Sequence, residues 1–403
     1  MNKQLTNHDE VLEAITATID IPEHLDERAR KRYRSLGDWL DRPNSGIKQF
    51  DPEVYPQGSF ALGTVIQPIS EADAFDLDLV CRLDATKYDF TMQELKRLTG
   101  IEVLAYADAH SMKHTPEDKR RCWTMEYADE ANFHTDILPA LPDDVAYREY
   151  LKSRGHVDLA NNDELAQFAL AITDKTHPSY ERTCADWPVS NPKGYATWFH
   201  AQHSFQLDRA KKARMAKDSK YASIDEIPNY RMKTPLQRSI QLLKRHRDMM
   251  FADDGEHKPI SIIITTLSAH AYQGEETITD ALRTILRTMD TFIEERGGIK
   301  WIANPTNPEE NFADKWPDNA EKETNFYDWL EAARHDFGTY IREARFSEIP
   351  RSLQDRLGSE AVIAATAAIA VAAPHIVSAT VAAGEAEVDA VKQSGAETRP
   401  WAK

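Results

Sequence analysis

The sequence predicts an α+β fold: a mixed β sheet, followed by a helical lobe, with a substrate cleft between the two. Short β-branched and aromatic runs dominate residues 54–141, whereas helical spacing dominates the second half of the chain. The length of 403 residues exceeds the usual single-domain range, and a hydrophobic fraction of 41% is sufficient for real cores. We therefore expect two packed domains.

The predicted elements follow in order along the chain. Residues 1–40 are predicted to be helical, because Val11, Leu12, Ile15 and Ile19 share one face and helical spacing resumes after Pro22. The predicted strands are GTVIQPI, FDLDLVCRL, IEVLAYA, CWTMEYA and FHTDILPAL. The predicted helices of the second half are TWFHAQHSFQLDRAKKARMAK, TPLQRSIQLLKRHRDMMF, SIIITTLSAHAYQ, TITDALRTILRTMDTFIEERG and NFYDWLEAARHDFGTYIREAR. We place a core with N-terminal helices at residues 1–200, a helical lobe at 201–358, and an Ala-rich segment with a mobile tail at 359–403.

Charge and cysteine content exclude several classes of protein. A net charge of −17 argues against stable, sequence-independent binding to nucleic acid, which depends on surface Lys and Arg. The cysteines Cys81, Cys122 and Cys184 form no CxxC pair, so neither a disulfide framework nor a zinc site is indicated. The N-terminal residues lack the long apolar core of a secretory signal. We expect a cytoplasmic protein.

The Ala-rich stretch 361–384 contains no Asp, Glu, Lys or Arg and is long enough to span a bilayer. Its apolarity comes mostly from Ala, Pro374 interrupts it, and its flanks are acidic. A membrane span and an Ala-rich helix that packs on the body or a partner both remain open, and we favour the packed helix.

Carboxylates recur in two of the predicted strands. Asp76 and Asp78 share one strand face, because side chains alternate, and stand about 7 Å apart. Asp136 and His134 share a face of FHTDILPAL, so Asp136 completes a triad if the two strands are neighbours. Such a set suits divalent cations, although a DxD pair is also common on solvated strand edges. His134 is a metal ligand or orients its strand; we favour the second, since Mg²⁺ prefers oxygen.

A Gly58-Ser59 corner precedes the DxD strand and offers backbone N–H groups and a hydroxyl to phosphate. A lone Gly-Ser pair is also typical of ordinary turns. The order of the corner, the DxD strand and a third Asp indicates in-line attack of a hydroxyl on the α-phosphorus of a nucleotide. In that reaction one Mg²⁺ activates the attacking oxygen and a second neutralises the leaving pyrophosphate.

Basic residues concentrate between residues 209 and 247 of this acidic chain and would attract triphosphates. The set is Arg209, Lys211, Lys212, Arg214, Lys217, Lys220, Arg231, Lys233, Arg238, Lys244, Arg245 and Arg247. We interpret most of them as the solvated face of amphipathic helices. Lys244 is the exception, because Leu242 and Leu243 flank it on a helix that enters the core.

The segments QGSFALGTVIQPI, FDLDLVCRL and HTDILPAL resemble the core of polymerase-β-type nucleotidyltransferases, and specifically the bacterial CD-NTase family of cGAS/DncV-like synthases. The resemblance covers most of the chain and extends through LLKRHRD and PISIIITTLSAHAY to NPTNPEENFADKW. It implies a helical lobe of the oligoadenylate-synthase type. It also implies Mg²⁺ (Mn²⁺ as the alternative) on Asp76, Asp78 and Asp136, and nucleotide phosphates on Gly58, Ser59, Lys244 and Ser261. Two departures are a longer loop between Gly-Ser and DxD, and Ile262 where some relatives have a base-stacking Tyr.

The resemblance implies synthesis of a cyclic di- or trinucleotide from NTPs, ATP among them, that activates an antiphage (CBASS) effector. A linear oligonucleotide synthase and an RNA-directed nucleotidyltransferase remain alternatives within the enzyme class. A non-enzymatic scaffold is disfavoured, because all three carboxylates are present. The C-terminal tail is expected to engage a HORMA-like regulator or a ubiquitin-transfer-like conjugating partner.

Overall fold

The computed structural model describes residues 7–70, 73–127, 133–217, 232–342, 349 and 351–372. Within these ranges, the side chains of residue 7 and of residues 213–217 and 368–372 are not described. The structure contains both the mixed β sheet and the helical lobe, which confirms the α+β prediction.

The β strands of the described chain form one large mixed sheet and two small hairpins. The strands are β1 (Glu53–Pro56), β2 (Phe75–Arg82), β3 (Glu117–Asp118), β4 (Trp123–Tyr127), β5 (Phe133–Pro142), β6 (Leu170–Ile172), β7 (Val189–Ser190), β8 (Glu294–Arg296), β9 (Ile299–Trp301), β10 (Ala303–Asn304) and β11 (Asn307–Asn311). The large sheet has the order β1-β2-β5-β4-β3, with β6 pairing to the far end of β5 and β7 to β6. Hairpins β8–β9 and β10–β11 lie outside it.

The pairing of β2 with β5 is parallel, whereas the other pairings of the large sheet are antiparallel. Asp76 lies opposite His134 and Asp78 opposite Asp136 in this register. Because side chains in register on adjacent strands share a face, these four residues project from the same side of the sheet. Phe75, Leu77 and other apolar residues cover the opposite side and are buried there.

Helices surround the sheet and form the second lobe. They are α1 (Asn7–Ile19), α2 (Glu23–Leu40), α3 (Gly58–Leu62), α4 (Met92–Ala109), α5 (Asp144–Ser153), α6 (Val157–Ala160), α7 (Asp163–Ala166), α8 (Pro192–Lys217), α9 (Pro235–Met250), α10 (Ser261–Ala271), α11 (Ile278–Thr288), α12 (Ala320–Arg342), α13 (Arg351–Leu357) and α14 (Ser359–Ala372). A capping box of Thr234 and Gln237 starts α9, and Pro235 occupies its first turn, where a missing N–H costs nothing. This start places Lys244 in the third turn.

Two large hydrophobic clusters form the cores. One lies between the sheet, α2 and α4, and the other is built by α8–α14 together with α1. Helix α1 therefore packs with the second lobe although it precedes the sheet, and α8 runs through residue 200. The division of the chain at residues 200 and 358 stays a prediction.

Two predicted strands are wrong in type, and one predicted helix is too long. IEVLAYA belongs to α4, which a Thr91–Glu94 capping box starts and whose Val103, Tyr106 and Ala107 are buried at helical spacing. A short apolar run has no periodicity that separates strand from helix. GTVIQPI forms no strand and contributes only an isolated bridge between Ile66 and Asp20. The segment ending in FIEERG leaves the helix at Thr288, and its Glu294–Arg296 is β8.

The described part of the Ala-rich segment is helix α14, which packs on α1. Val362 and Ala365 are buried in the helical-lobe core, and the Thr18 hydroxyl donates to the carbonyl of Ala361 at 3.4 Å. The packed-helix prediction is confirmed for the described side chains of α14, and the helix itself continues as far as residue 372. The remainder of the tail lies outside the described residues. Among the helices described here, none has the length and apolarity to cross a membrane.

Candidate functional site

The Gly-Ser corner is built tightly against the DxD strand. The backbone N–H of Gln57 donates to the carbonyl of Asp78 at 2.8 Å, and α3 starts at the next residue. Gly58 has a φ of +60°, and a Cβ added there would stand 2.4 Å from Oδ2 of Asp78. Only glycine fits both the left-handed backbone and the space beside the carboxylate.

The predicted carboxylates meet on one face of the β2–β5 pair. Asp78 and Asp136 are direct neighbours across this pair, with backbones about 5 Å apart as in any sheet. Thr124 of β4 lies on the other side of Asp136, and its hydroxyl donates to Oδ1 of Asp136 at 2.5 Å. The sequence analysis missed Thr124, because a threonine in a strand carries no signal of which strand it will face.

Burial and mutual repulsion disfavour the charged forms of the DxD pair. Burial, followed by the charges of Asp136 and Asp76, raises the pKa of Asp78 to about 6. Burial also raises the pKa of Asp76, although His134 opposes this shift. Carboxylates held together in this way are stabilised by a nearby cation.

Lys244 and Ser261, on the helical lobe, line the same cavity as the corner and the DxD pair. The cavity has a volume of about 680 Å³, and Gly58, Ser59, Asp76, Asp78, Lys244 and Ser261 line it. Such a volume is usual for nucleotide-sized ligands. The structure thus gathers six of the seven predicted site residues around one cavity. The seventh residue, Asp136, lies beside Asp78, next to the lining of the cavity.

Lys244 is buried, and its ammonium donates to the carbonyl of Thr64 at 2.9 Å. Burial, followed by the Arg247 guanidinium, lowers its pKa to about 8. The charges of Asp76 and Asp78 act on Lys244 in the opposite direction. At neutral pH the lysine is therefore a cation that faces the carboxylates across the cavity.

Two further charged residues of the cavity wall, Arg247 and Asp248, were not predicted as site residues from the sequence. Arg247 is 3% exposed and donates to the carbonyl of Pro259 at 2.7 Å and to the Ser261 hydroxyl at 3.1 Å. Asp248 accepts from Arg247 at 2.8 Å and from Lys258 at 3.1 Å. This chain of contacts holds the start of α10 against the end of α9.

The interpretation of the basic segment as a mostly solvated face is wrong for part of it. Arg245 and Arg247 are buried, and the side chains of Lys233 and Arg238 are nearly so. The reason is that α9 runs through the middle of the helical lobe, so that nearly its whole circumference is covered. The side chains of Arg214, Lys217, Lys220 and Arg231 lie outside the described residues.

The longer loop between the corner and the DxD strand is held by α9 and the residues before it. Polar side chains of the helical lobe donate to successive carbonyls of residues 62–67. The pairs are Gln237 with Leu62 at 2.9 Å, Lys233 with Gly63 at 2.8 Å, Lys244 with Thr64 at 2.9 Å, Gln241 with Val65 at 2.7 Å and Arg245 with Gln67 at 2.6 Å. We call residues 62–67 the clamped segment. These hydrogen bonds give the carbonyls of the loop fixed partners, where the backbone pairing is limited to one isolated bridge.

The wall that would contact a base is largely aliphatic. Ile262 lines the cavity together with Ile69 and Ile260, whose side chains are 45% and 47% exposed. Phe75 and Phe251 are the aromatic side chains among the described residues of the lining.

A different set of possible metal ligands occurs at the rim of the helical lobe. Asp254, His257 and Glu321 place one ligand atom each within 4.8 Å of one another, and no other group of three in the described chain does so. The three aspartates of the sheet are therefore more widely spaced. Shared ions would require rotation of their side chains, which the staggered rotamers of Asp allow. Their donor set of three carboxylates on one face still suits a hard divalent cation.

Comparison with known proteins agrees with this geometry. Residues 52–139, which contain the corner and all three aspartates, match the family described as the nucleotidyltransferase domain of cyclic GMP-AMP synthase DncV-like proteins. The chain is 29% identical over 307 residues to a c-di-GMP synthase of Roseivirga ehrenbergii, covering 75% of this chain and 71% of the relative.

Solved structures show the same fold over most of the chain. The structure of the CD-NTase CdnG of Bradyrhizobium diazoefficiens in complex with GTP superposes with a TM-score of 0.64 at 21% identity, covering 88% of this chain and 96% of that one. A complex of E. coli MS115-1 CdnC with HORMA-deltaN gives a TM-score of 0.57 at 12% identity, covering 87% and 97%. The family model, the relative and the shared fold agree with one another. They also agree with the position of the Gly58-Ser59 corner and of the carboxylates in β2 and β5. Residues 52–139 thus match a nucleotidyltransferase domain of the DncV-like type, and the chain shares the fold of the solved CD-NTases over most of its length.

Proposed function

We propose that this enzyme condenses nucleoside triphosphates into a cyclic dinucleotide or trinucleotide. The observation that carries the proposal is the shared cavity, in which the Asp76–Asp78 pair faces Lys244 and Ser261 beside the Gly58-Ser59 corner. The name of the relative from Roseivirga ehrenbergii supports a cyclic dinucleotide as the product.

The residues divide into two groups by charge. Asp76, Asp78 and Asp136 would hold divalent cations, for which Mg²⁺ is the first choice and Mn²⁺ the alternative. Bound there, such ions would supply an activated hydroxyl and neutralise the departing pyrophosphate. The corner N–H groups, the Ser59 hydroxyl and the Lys244 ammonium would bind the phosphates of the donor nucleotide.

The surrounding contacts position these groups. Thr124 orients the Asp136 carboxylate through its hydrogen bond, and the lack of a side chain at Gly58 lets phosphate oxygens approach the backbone. The Arg247–Ser261 contact fixes the hydroxyl of Ser261 at the mouth of the cavity. The aliphatic side chains of Ile69, Ile260 and Ile262 would cover the faces of a base.

The test is product analysis with labelled nucleotides. Purified full-length protein is incubated with α-labelled ATP, GTP, CTP and UTP plus Mg²⁺ and then with phosphatase, and the products are resolved. We expect a phosphatase-resistant product from the wild type and none from Asp76→Asn or Gly58→Ala, a loss of at least about 100-fold in rate. The matched control is Asp158→Asn, an exposed carboxylate of α6 outside the cavity, which should keep wild-type activity.

The outcomes separate the alternatives. A phosphatase-sensitive ladder of products would instead establish the linear oligonucleotide synthase. An Asp76→Asn variant that retains the wild-type rate would refute the assignment of the site. A wild type that binds NTPs but forms no product, alone or with partner proteins encoded beside it, would favour the scaffold alternative.

The proposed function also implies partners for the enzyme. Its cyclic product would activate a separate effector in an antiphage response, and its NTP substrates place it in the cytoplasm. A HORMA-like regulator is supported by the CdnC complex among the similar structures. Contact through the C-terminal tail, with this regulator or with a ubiquitin-transfer-like conjugating partner, involves mainly residues 373–403, which lie outside the described part.

A further inference from the structure

A second cavity lies behind one wall of the nucleotide cavity. Its volume is about 780 Å³, and it is bordered by the α1–α2 junction, α9 and the start of α14. The two cavities share the wall residues Gln67, Pro68, Ile69, Asp73 and Phe75. Its other lining residues, among them Leu25, Arg245 and Met249, do not line the nucleotide cavity.

Arg245 is the unusual side chain of this second cavity. It is only 6% exposed, and its Nη2 donates to the carbonyl of Gln67 at 2.6 Å. Its Nε is buried without a hydrogen-bond partner, and no carboxylate of the described residues forms an ion pair with it. The charge of Asp248 acts on Arg245, but the Asp248 carboxylate is already paired with Arg247 and Lys258. The neighbouring cations of α9 differ in this respect, since Arg247 pairs with Asp248 and Lys244 faces the DxD carboxylates.

A buried guanidinium without an ion pair among the described residues is costly. Arginine does not lose its proton in proteins, so it cannot avoid the cost by becoming neutral. Buried charges are normally paired, and a buried charge that no described residue pairs, with a donor left over, is suited to a bound anion. An anion in the cavity would supply both the charge and the acceptor that the Arg245 side chain lacks.

The rest of the lining limits the kind of anion. Apolar side chains make up much of the wall, including Leu25, Met249 and Ala364. Asp73 and Glu360 also border the cavity, so a polyphosphate would meet repulsion there. A single negative charge on an otherwise apolar body matches this distribution.

We propose that the second cavity binds a small organic monoanion, with its charged group on the Arg245 guanidinium and its apolar part against Leu25, Met249 and α14. This site is separate from the nucleotide cavity and does not depend on the reaction catalysed there. Because Gln67 accepts from Arg245 and lines both cavities, the bound anion would lie directly against the nucleotide wall.

The test uses two fluorescent probes that differ by one sulfonate. 8-Anilinonaphthalene-1-sulfonate is an apolar monoanion, and N-phenyl-1-naphthylamine is its neutral counterpart. Both are titrated into metal-free full-length wild type and Arg245→Met, which keeps the length of the side chain and removes its charge. We expect the variant to bind the anionic probe at least about tenfold more weakly and the neutral probe equally well.

Two further variants control for binding elsewhere. Ala364→Trp fills the cavity from α14. It should abolish the Arg245-dependent binding of the anionic probe, and it should also weaken the binding of the neutral probe relative to the wild type. Arg287→Met removes an exposed charge on α11 that lines neither cavity, so it should bind both probes as the wild type does.

The proposal is overturned if Arg245→Met leaves the affinity for the anionic probe unchanged, or if it weakens both probes equally. It is also overturned if the wild type binds the anionic probe no better than Ala364→Trp does. Should Arg245→Met fail to fold, this last comparison decides.

Discussion

Gly58 and Asp78 depend on each other at the scale of single residues. The carboxylate of Asp78 occupies the space that a side chain at position 58 would need, and the backbone at position 58 adopts a conformation that disfavours other residues. The backbone of the corner therefore lies directly against the carboxylate of Asp78. The same pair of residues thus places the proposed phosphate-binding group beside the proposed metal ligand.

The raised pKa of Asp78 predicts how the metal-free protein responds to pH. Its folded pKa of about 6 lies above the ordinary value of 3.8, so the folded state binds this proton more tightly than the unfolded state. Stability therefore falls as pH rises through this interval, and the cost is fully present above pH 7. Asp78→Asn removes the charge, and its free energy of unfolding at pH 8 should exceed that of the wild type by roughly 1–3 kcal/mol.

Urea unfolding of metal-free protein at pH 8 and at pH 4 measures this difference, which should disappear at pH 4. Asp158→Asn serves as the control and should match the wild type at both values. Saturating Mg²⁺ should reverse the order at pH 8 if Asp78 is a ligand, because the ion stabilises only the charged form. Equal stabilities of wild type and Asp78→Asn at pH 8 without metal would contradict the assigned electrostatics.

The sequence predicted the carboxylates because strand alternation alone puts Asp76 and Asp78 on one face. It could not predict Thr124 or the role of Arg247. Which strand pairs with β5, and which side of α9 is buried, are decided by contacts between distant segments. Local patterns carry no information about such contacts.

Helix α14 shows at the scale of elements how an Ala-rich segment is held by few residues. Val362 and Ala365 are buried, whereas the neighbouring Ile363 is 67% exposed. Small Ala side chains let α14 approach α1 closely, and the large apolar contact comes from Val362. The helix is thus attached by a narrow stripe.

This stripe predicts a sharp difference between adjacent substitutions. Val362→Asp buries a charge at the α14–α1 contact and should lower the free energy of unfolding by about 2–4 kcal/mol. Ile363→Asp, one residue further on, should change it by less than about 0.5 kcal/mol, because the side chain is in solvent. Thermal and urea unfolding of the two variants measure the contrast, and equal losses would show that α14 is docked by a different face.

The two wrongly predicted strands share one cause. IEVLAYA and GTVIQPI are short apolar runs, for which strand and helix periods cannot be told apart. Long patterns such as TPLQRSIQLLKRHRDMMF were predicted correctly, and α9 spans Pro235–Met250. Where a run is short, the capping residues at Thr91 and Glu94 were the better signal for α4.

At the scale of the whole molecule, the clamped segment joins the two lobes. Residues 62–67 follow the corner in the sheet lobe, yet their carbonyls are bound by the helical lobe. The nucleotide cavity lies between them, so its width depends on these hydrogen bonds. The sequence predicted two lobes and a cleft, but hydrogen bonds from side chains to distant carbonyls leave no trace in it.

Gln241 is the most deeply buried member of this clamp and gives the clearest test. Its amide donates to the carbonyl of Val65 at 2.7 Å and to Asp20 at 2.8 Å. Gln241→Leu leaves both acceptors without this donor, and we expect a loss of about 1–3 kcal/mol in the free energy of unfolding. Nucleotide affinity, measured by calorimetry, should fall as well because residues 64–69 line the cavity.

Gln202→Leu is the matched control, since its amide donates only within its own helix, to the carbonyl of Trp198 at 3.0 Å. It should leave nucleotide affinity unchanged. A Gln241→Leu variant with wild-type stability and affinity would show that the clamp does not set the width of the cavity.

The parallel pairing of β2 with β5 also has a consequence for how the chain folds. The hairpin of β4 and β5 and the pair of β1 and β2 each join neighbouring strands, whereas β2 and β5 are separated along the chain by α4, β3 and β4. Neither of the two local pairs contains the complete set of carboxylates. Parallel strands require a crossover, and closing it costs chain entropy before any contact repays it. A folding chain therefore brings its three carboxylates together in the same step that pairs β2 with β5, and a nascent chain that still lacks Asp136 cannot assemble the proposed site.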